Sequence, residues 1–297
     1  MDKAIIFGAS GQDGIYLTEL LTVMGIEVIP ISRSFNKVFG DISNTQFVET
    51  LIKNETPKYI FHFAANSTTN HSALKENHAS ISTGTLNILE ATKNYSPNTK
   101  IFLSGSAMQF KNEGTSINES TPFEAKSAYS AERIYSVYLA RYYREKFNIS
   151  IYIGYLFNHD SPLRTENHIN QKIVMSAIRI ANGSQDRLII GDLNVRKEFN
   201  YAGDIVSAIW KFVSQNEIFE MVIGSGVAYS IKTWIQYCFK MVGLNWEEYI
   251  IFDDKFVSEY SILVSNPSLL KSIGWVPSKD IFQTADIMLD ISKKSIK

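Results

Sequence analysis

The chain has 297 residues, a length that fits one large domain or two. Hydrophobic residues make up 45% and charged residues 20%, which excludes a disordered or collagen-like chain. The net charge of -1 leaves no broad basic field, so we do not expect nucleic acid as a partner. Cys238 is the single cysteine, so we expect neither an internal disulfide nor a metal site of clustered Cys and His ligands.

No targeting signal precedes the first apolar segment. Met1, Asp2 and Lys3 lead directly into it, without a cationic region, a long apolar region and a cleavage site. No apolar run approaches the ~18 residues that a membrane-spanning helix requires. We therefore expect a cytoplasmic protein with no membrane partner.

The first half of the sequence alternates short apolar strands with amphipathic helices. The predicted strands cover residues 3–7, 27–31, 59–63, 100–103 and 149–156, and the predicted helices cover residues 11–24, 44–53, 80–94 and 128–147. Such alternation is typical of parallel strands joined by right-handed crossovers. The predicted fold class is therefore α/β, with a doubly wound parallel (Rossmann) sheet.

The second half alternates less regularly. A polar stretch at 158–170 is followed by predicted helices at 171–182, 204–212, 231–241 and 268–273 and by a strand at 248–252. We interpret this part as a smaller α+β substrate-binding domain that is interleaved with the sheet domain. The predicted dinucleotide-binding domain covers 1–155 and about 199–226, and the substrate-binding domain covers about 156–198 and 227–297.

Three glycines follow the first predicted strand with the spacing GxxGxxG. Gly8 permits a tight turn, Gly11 lets the backbone approach a pyrophosphate, and Gly14 lets the next helix pack closely on the strand. The N-terminus of that helix offers N–H groups to a phosphate. Glycines also form simple turns, but the strand before them and the alternation behind them favour dinucleotide binding. The other loop residues expected to contact the cofactor are Ser10, Gln12 and Asp13.

The end of the second strand bears on the choice of cofactor. An NAD site usually places Asp or Glu there for the ribose 2′-hydroxyl, whereas an Arg suits a 2′-phosphate. This chain has Ser32 followed by Arg33, which favours NADP(H) and leaves NAD(H) open. Asp41 and Ile42 come before the next helix, where they either contact the adenine or simply start that helix.

Three residues are candidates for catalysis. Tyr129 and Arg133 lie four residues apart on a predicted helix and so share a face, and Ser106 follows the fourth strand at the carboxyl edge of the sheet. A fixed cation favours the ionised form of a neighbouring phenol, which can exchange a proton with a substrate hydroxyl during hydride transfer. The alternative is that Tyr129 only packs, since this helix carries four more tyrosines.

Several segments together resemble a known family. Gly8–Gly14, Asp41–Ile42, Ala64–Ser67, Ser104–Ser106 and Tyr129-xxx-Arg133 are similar to extended short-chain dehydrogenases/reductases, and the chain resembles the GDP-mannose 4,6-dehydratases among them more closely. The segments that carry the closer resemblance are Gly8–Leu17, Leu156–Arg164, Glu166–Ile173 and Gly191–Phe199. The resemblance spans about residues 1–225 and implies a sheet domain for NADP(H), a domain for a GDP-linked nucleotide sugar, and a homodimer.

The resemblance also implies roles for individual residues. Ser106, Tyr129 and Arg133 occupy the positions of the catalytic Ser/Thr, Tyr and Lys. The further positions that resemble cofactor contacts are Ala64, Ala65, Ser67, Ser104, Leu156 and His159. The positions that resemble contacts to the nucleotide or its diphosphate are Asn158, Arg164, Asn167, Lys172 and Lys197.

The chain departs from this family pattern at several positions. Arg133 replaces the lysine and keeps the charge, but it cannot release a proton. Met108 stands where a dehydratase has the glutamate that removes the C5 proton, and a thioether cannot act as a base. Phe256 stands where an arginine is expected, and the link from the second strand to Asp41 is shorter.

Four functions remain open at this point. The leading hypothesis is an NADP(H)-dependent reductase of a GDP-4-keto-6-deoxy sugar or heptose, because reduction needs no C5 base. The second is a GDP-mannose 4,6-dehydratase whose base comes from elsewhere, such as Glu113 or His71. A C4 epimerase uses the same chemistry. The fourth is a catalytically silent protein that binds NADP(H) and a nucleotide sugar.

Overall fold

The computed structural model describes residues 1–33 and 38–296. The chain forms two compact units. Unit 1 comprises residues 1–111, 118–156 and 206–223, and unit 2 comprises residues 112–117, 157–205 and 224–297. These ranges differ from the predicted division at 112–117, 199–205 and 224–226, which all belong to unit 2. The assignment of cofactor to one part and substrate to the other stays a prediction.

The chain up to Leu156 forms strands and helices in alternation. They are β1 (Lys3–Phe7), α1 (Gln12–Val23), β2 (Glu27–Ser32), β3 (Val38–Phe39), α2 (Thr45–Glu55), β4 (Tyr59–His62), α3 (Leu74–Asn77), α4 (Gly84–Tyr95), β5 (Lys100–Ser106), α5 (Ala128–Phe147) and β6 (Ile151–Leu156). A π-helix at His78–Thr83 joins α3 to α4, and short 3₁₀ turns cover His71–Ala73 and Ala107–Gln109.

The rest of the chain has shorter elements. They are β7 (His159–Asp160), α6 (Ile169–Ala181), β8 (Leu188–Ile190), β9 (Arg196–Glu198), β10 (Asn200–Tyr201), α7 (Ala202–Val213), β11 (Glu220–Ile223), β12 (Ala228–Ser230), α8 (Ile231–Lys240), β13 (Ile250–Phe252), β14 (Ile262–Leu263), α9 (Ser268–Ser272) and α10 (Ile281–Ile296).

Unit 1 is built on a seven-stranded sheet in the order β11-β6-β5-β4-β1-β2-β3, with all neighbouring strands parallel. This confirms the predicted doubly wound parallel sheet. The strand order reverses between β1 and β4, and such folds bind ligands beyond the carboxyl ends of strands at this point. Apolar residues such as Ile5, Ile60 and Phe102 are fully buried, as expected for a sheet covered on both faces.

Unit 2 has its own core. Its short strands form three small sheets, β10-β7, β12-β9-β14 and β13-β8. Apolar faces of α6, α8 and α10 bury one cluster, in which Ile173, Trp234 and Met288 are inaccessible to solvent. Within the described residues, no helix combines the length and the apolar run that crossing a membrane requires.

The structure differs from the predicted elements at several places. The predicted helix at 80–94 begins earlier, because α3 and the π-helix precede it. The seventh strand, β11, and the long C-terminal helix α10 were not predicted. β11 has only four residues and pairs through its backbone with β6 alone, so a single sequence gives little sign of it.

Candidate active site

The glycine loop brings the backbones of two strand ends close together. Gly8 adopts a φ of +86°, and a Cβ placed on it would lie 2.6 Å from the backbone N of Ala64. A Cβ on Gly14 would lie 2.5 Å from the carbonyl oxygen of Gly8. A side chain at either position would therefore clash with the backbone, so the close approach requires glycine. These contacts agree with the roles predicted for both glycines.

A cavity of about 700 Å³ opens beside this loop in unit 1. Gly11 precedes α1 and has no side chain to cover the first N–H groups of the helix, which therefore remain available to an anion. Eight of the predicted cofactor residues line the cavity, namely Gly8, Ser10, Gly11, Arg33, Asp41, Ile42, Ala64 and Ala65. These residues fit the adenosine and pyrophosphate part of a dinucleotide.

Other predicted cofactor residues are not part of that lining. Gln12, Asp13, Gly14, Ser67, Ser104 and Leu156 lie elsewhere in unit 1, and His159 belongs to unit 2. The Nδ1–H of His159 donates to the carbonyl oxygen of Phe157 over 2.7 Å. Their contacts with a cofactor stay predictions.

Polar groups cluster at the cavity rim beyond β2. The Ser32 hydroxyl donates to the Ser10 hydroxyl over 3.1 Å. The Asp41 carboxylate accepts hydrogen bonds from the backbone N and the hydroxyl of Ser43. Such contacts are typical of an Asp that lies just before a helix. The Arg33 guanidinium donates to Glu76 over 2.6 Å. Glu76 also lines the cavity and was missed by the sequence analysis, because it lies 43 residues away from Arg33.

Tyr129 and Arg133 form a buried phenol–guanidinium pair on α5. The helix begins with a capping box in which the Ser127 hydroxyl accepts from Ser130 N, and this places Tyr129 in the first turn. Arg133 Nε donates to the Tyr129 hydroxyl over 3.3 Å. Its Nη1 donates to the carbonyl oxygen of Ser104 and, over 3.0 Å, to the Ser104 hydroxyl. The guanidinium is thereby held against the phenol and β5 together.

A buried histidine lies behind this pair. Burial and the Arg133 charge lower the pKa of His62 to about 3. His62 is therefore neutral at neutral pH, and its carbonyl oxygen accepts from the Ser104 hydroxyl over 2.9 Å. Of these two residues, Arg133 therefore supplies the positive charge beside the Tyr129 hydroxyl.

Ser106 ends β5 and caps the turn that follows it. Its hydroxyl oxygen accepts from Met108 N over 3.2 Å, which leaves the hydroxyl proton for another acceptor. The side chain of Gln109, which is fully buried, accepts from Ser106 N over 2.9 Å. Ser106-x-x-Gln109 matches the sequence signature of a capping box, so sequence reasoning could have found Gln109. Residues 104–110 carry no carboxylate.

Unit 2 gathers some of the predicted substrate residues. Arg164 donates to the carbonyl oxygen of His159 over 3.3 Å and lies 3.7 Å from Asp160. Burial lowers the pKa of Lys197, and the Asp160 carboxylate opposes this shift. The carbonyl oxygen of Asn158 accepts from the Asn200 amide over 2.9 Å. Two cations at this place give unit 2 groups that could bind a diphosphate.

The remaining predicted substrate residues lie apart from this group. Lys172 donates to the carbonyl oxygen of Ile189 over 3.1 Å, at the middle of β8. Asn167 is exposed. Glu198, which was not predicted, is a fully buried carboxylate that accepts from the backbone N of Ser225 and Ser265. It therefore holds loops around β9 rather than a ligand.

A family model and named relatives match this chain over most of its length. The model of the family "GDP-mannose 4,6 dehydratase" matches residues 5–288. GDP-mannose 4,6 dehydratase 1 of Arabidopsis thaliana is 28% identical over 319 residues, which cover 97% of this chain and 88% of the relative. The resemblance stated from the sequence is thereby confirmed, and it extends beyond residue 225.

Solved structures share the fold. RMD from Pseudomonas aeruginosa complexed with NADPH has a TM-score of 0.89 at 19% identity and covers 99% of this chain and 100% of its own. The dTDP-glucose 4,6-dehydratase from Bacillus anthracis in complex with NAD has a TM-score of 0.88 at 17% identity, covering 99% of this chain and 97% of its own.

Proposed function

We propose that this chain, which belongs to the GDP-mannose 4,6 dehydratase family, is a nicotinamide-dependent reductase of a GDP-linked 4-keto-6-deoxy sugar or heptose. The coarser conclusion, an oxidoreductase-type enzyme that modifies a nucleotide sugar, follows from the family. One observation supports the finer proposal. The Tyr129–Arg133 pair is intact, whereas the turn after Ser106 carries Met108 and no carboxylate.

The proposed reaction uses the side chains of unit 1 as follows. The reduced nicotinamide, when bound, supplies the hydride to C4 of the keto sugar. Ser106 donates its hydroxyl proton in a hydrogen bond to the keto oxygen and polarises the carbonyl. Tyr129 transfers its phenolic proton to that oxygen, which becomes the C4 hydroxyl. Arg133 stabilises the resulting phenolate until water protonates it again.

The family name favours a second candidate, a 4,6-dehydratase, since the Arabidopsis relative carries that name. Eliminating water across C5–C6 requires a base for the C5 proton. The two substitutes proposed from the sequence are both exposed: His71 begins a 3₁₀ turn in unit 1, and Glu113 belongs to unit 2. Neither replaces the carboxylate that the turn after Ser106 lacks, so we favour reduction.

We further propose that the cofactor is NADP(H), with Arg33 at its 2′-phosphate. Arg33 and Ser32 are at the end of β2, where dinucleotide-binding folds place the adenosine ribose. Among the structural neighbours, the Pseudomonas protein is complexed with NADPH and the Bacillus protein with NAD. A nicotinamide cofactor is common to both.

The substrate and oligomer proposals rest on other parts of the chain. We propose that Arg164, Lys197 and Asn158 of unit 2 bind the nucleotide diphosphate, with Lys172 and Asn167 as further contacts. We also propose a homodimer. Three half-exposed tyrosines lie along one face of α5 and could pack against a second copy, namely Tyr135, Tyr138 and Tyr142.

The experiment that tests the function compares two substrates. A reductase consumes NADPH in a one-to-one ratio with a GDP-4-keto-6-deoxy sugar and leaves GDP-mannose unchanged. A dehydratase recycles its hydride, so GDP-mannose alone would yield the keto sugar, and that result would contradict the proposal. Thermal stabilisation by NADPH with no turnover of either sugar would instead identify a silent binding protein.

A further inference from the structure

The rim of the dinucleotide cavity contains an ion pair that neither the family resemblance nor the comparisons assign. Arg33 Nη2 lies 2.6 Å from Glu76 Oε1, and both residues line the cavity. Arg33 is on the segment after β2, whereas Glu76 is on α3, so the two residues approach the cavity from different elements. The cation expected at a 2′-phosphate therefore already has an anionic partner.

Glu76 is fixed in this position by a second contact. Its other carboxylate oxygen accepts from the Asn66 side chain over 3.1 Å. The backbone N of Asn66 in turn donates to Asn77, the residue after Glu76, over 3.0 Å. The hydrogen bonds from Arg33 and Asn66 lower the pKa of Glu76, so it is ionised at neutral pH. The carboxylate is thus a held negative charge at the rim.

We propose that Glu76 is a specificity-determining residue for the cofactor and narrows the preference for NADP(H) over NAD(H). The 2′-phosphate of NADP(H) is an anion that must share Arg33 with Glu76 and is repelled by it. The ribose 2′-hydroxyl of NAD(H) is neutral and can donate a hydrogen bond to the same carboxylate. The proposal rests on the proposed function, because it requires that unit 1 binds a nicotinamide dinucleotide.

The solvent exposure of Arg33 and Glu76 limits the expected change in relative cofactor affinity. The side chains of Arg33 and Glu76 are 59% and 41% accessible, so water and salt screen their charges. We therefore expect a change of roughly tenfold in relative affinity rather than a complete switch. Both dinucleotides should bind to the unchanged chain, with NADPH binding more tightly.

The test measures dissociation constants of NADPH and NADH for the full chain by isothermal titration calorimetry, without any sugar. We expect Glu76→Gln to raise the ratio Kd(NADH)/Kd(NADPH) roughly tenfold, mainly through tighter binding of NADPH. Arg33→Ala should lower the ratio below one, because Glu76 then faces the 2′-phosphate without its cationic partner. Added to Arg33→Ala, Glu76→Gln should still raise the ratio, because the carboxylate also repels the 2′-phosphate directly.

A matched control removes one charge elsewhere. Glu19→Gln makes the same change at an exposed position on α1 that is not in the cavity lining, and it should leave the ratio unchanged. An unchanged or lower ratio in Glu76→Gln, or an equal rise in Glu19→Gln, would overturn the inference while leaving the proposed function intact. If the unchanged chain binds neither dinucleotide, both proposals fail.

Discussion

The two sides of the proposed catalytic site in unit 1 differ in the reactive groups that they carry. On the helix side, Tyr129 and Arg133 keep a phenol and a cation in contact, and Ser104 on β5 holds the guanidinium. On the turn side, Ser106 keeps its hydroxyl, but Met108 offers no proton-accepting group. The helix side can therefore move a proton at a hydroxyl oxygen, whereas the turn side cannot remove one from carbon.

This contrast separates the steps of the family's chemistry. Hydride transfer needs a proton donor and a polarised carbonyl, and both belong to groups that this chain has. Water elimination needs an additional base, so we expect Met108 to affect that step alone. Variants on each side should consequently change different reactions, with the largest losses on the helix side.

The largest effect is expected from Tyr129→Phe. Removing the phenolic hydroxyl removes the proton donor, so kcat for keto-sugar reduction should fall about 10³-fold. Since only one hydroxyl is lost, the Kd for NADPH should change little. Tyr135→Phe, at an exposed tyrosine of the same helix, is the control and should retain activity. A fully active Tyr129→Phe enzyme would show that the phenol only packs.

Arg133→Met should have the next largest effect. It removes the cation beside Tyr129, and we expect kcat to fall roughly 10²-fold. Arg133→Lys keeps the charge but not the forked contacts with Tyr129 and Ser104, so its loss should stay within about tenfold. Steady-state kinetics and circular dichroism check both variants. Equal losses for Met and Lys would indicate that shape rather than charge matters.

Much of unit 1 could be predicted because its signals are local. The Gly8–Gly14 spacing encodes a turn, a close approach and a helix start within seven residues, and the structure places Gly8 and Gly14 accordingly. Alternation of apolar strands and amphipathic helices predicts a parallel sheet for the same reason. Such patterns need no knowledge of distant parts of the chain.

The missed features arise from contacts between distant residues. Arg133 contacts Ser104 across 29 positions, and Glu76 contacts Arg33 across 43. Nothing in the neighbouring sequence of Glu76 distinguishes it from a solvated helix residue. Only the folded arrangement of α3 beside the end of β2 gives it a role in the cavity.

The turn side can be tested by restoring a base. Met108→Glu should introduce a carboxylate that exchanges the C5 proton of a bound 4-keto sugar with solvent, because that proton is acidified by the adjacent carbonyl. In D₂O, we expect C5 deuteration to rise at least about tenfold above the unchanged chain. NMR or mass spectrometry measures it. Met108→Gln has similar size but no base, and exchange in that variant would refute the explanation.

The smallest effect is expected from His62, the buried histidine near Arg133 and Ser104. The pKa of His62 is about 3 in the fold and about 6.5 when unfolded, so the unfolded state binds more protons between these values. Above pH 6.5 the titration of His62 therefore does not change the free energy of unfolding. Below pH 6.5 it lowers that free energy increasingly as the pH falls towards 3.

His62→Asn removes this titration, although the variant has a lower stability at neutral pH because the site is fully packed. Its free energy of unfolding should therefore fall less steeply below pH 6.5, by up to about 1.4 kcal/mol per pH unit. Urea unfolding at pH 7, 5.5 and 4.5 measures the slopes. His71→Asn, at an exposed histidine of the same unit, should keep the original slope. If the slope in His62→Asn equals that of the unchanged chain, the pKa of His62 is the same in the folded and unfolded states, and the imidazole becomes a second cation near Arg133 below about pH 6.5.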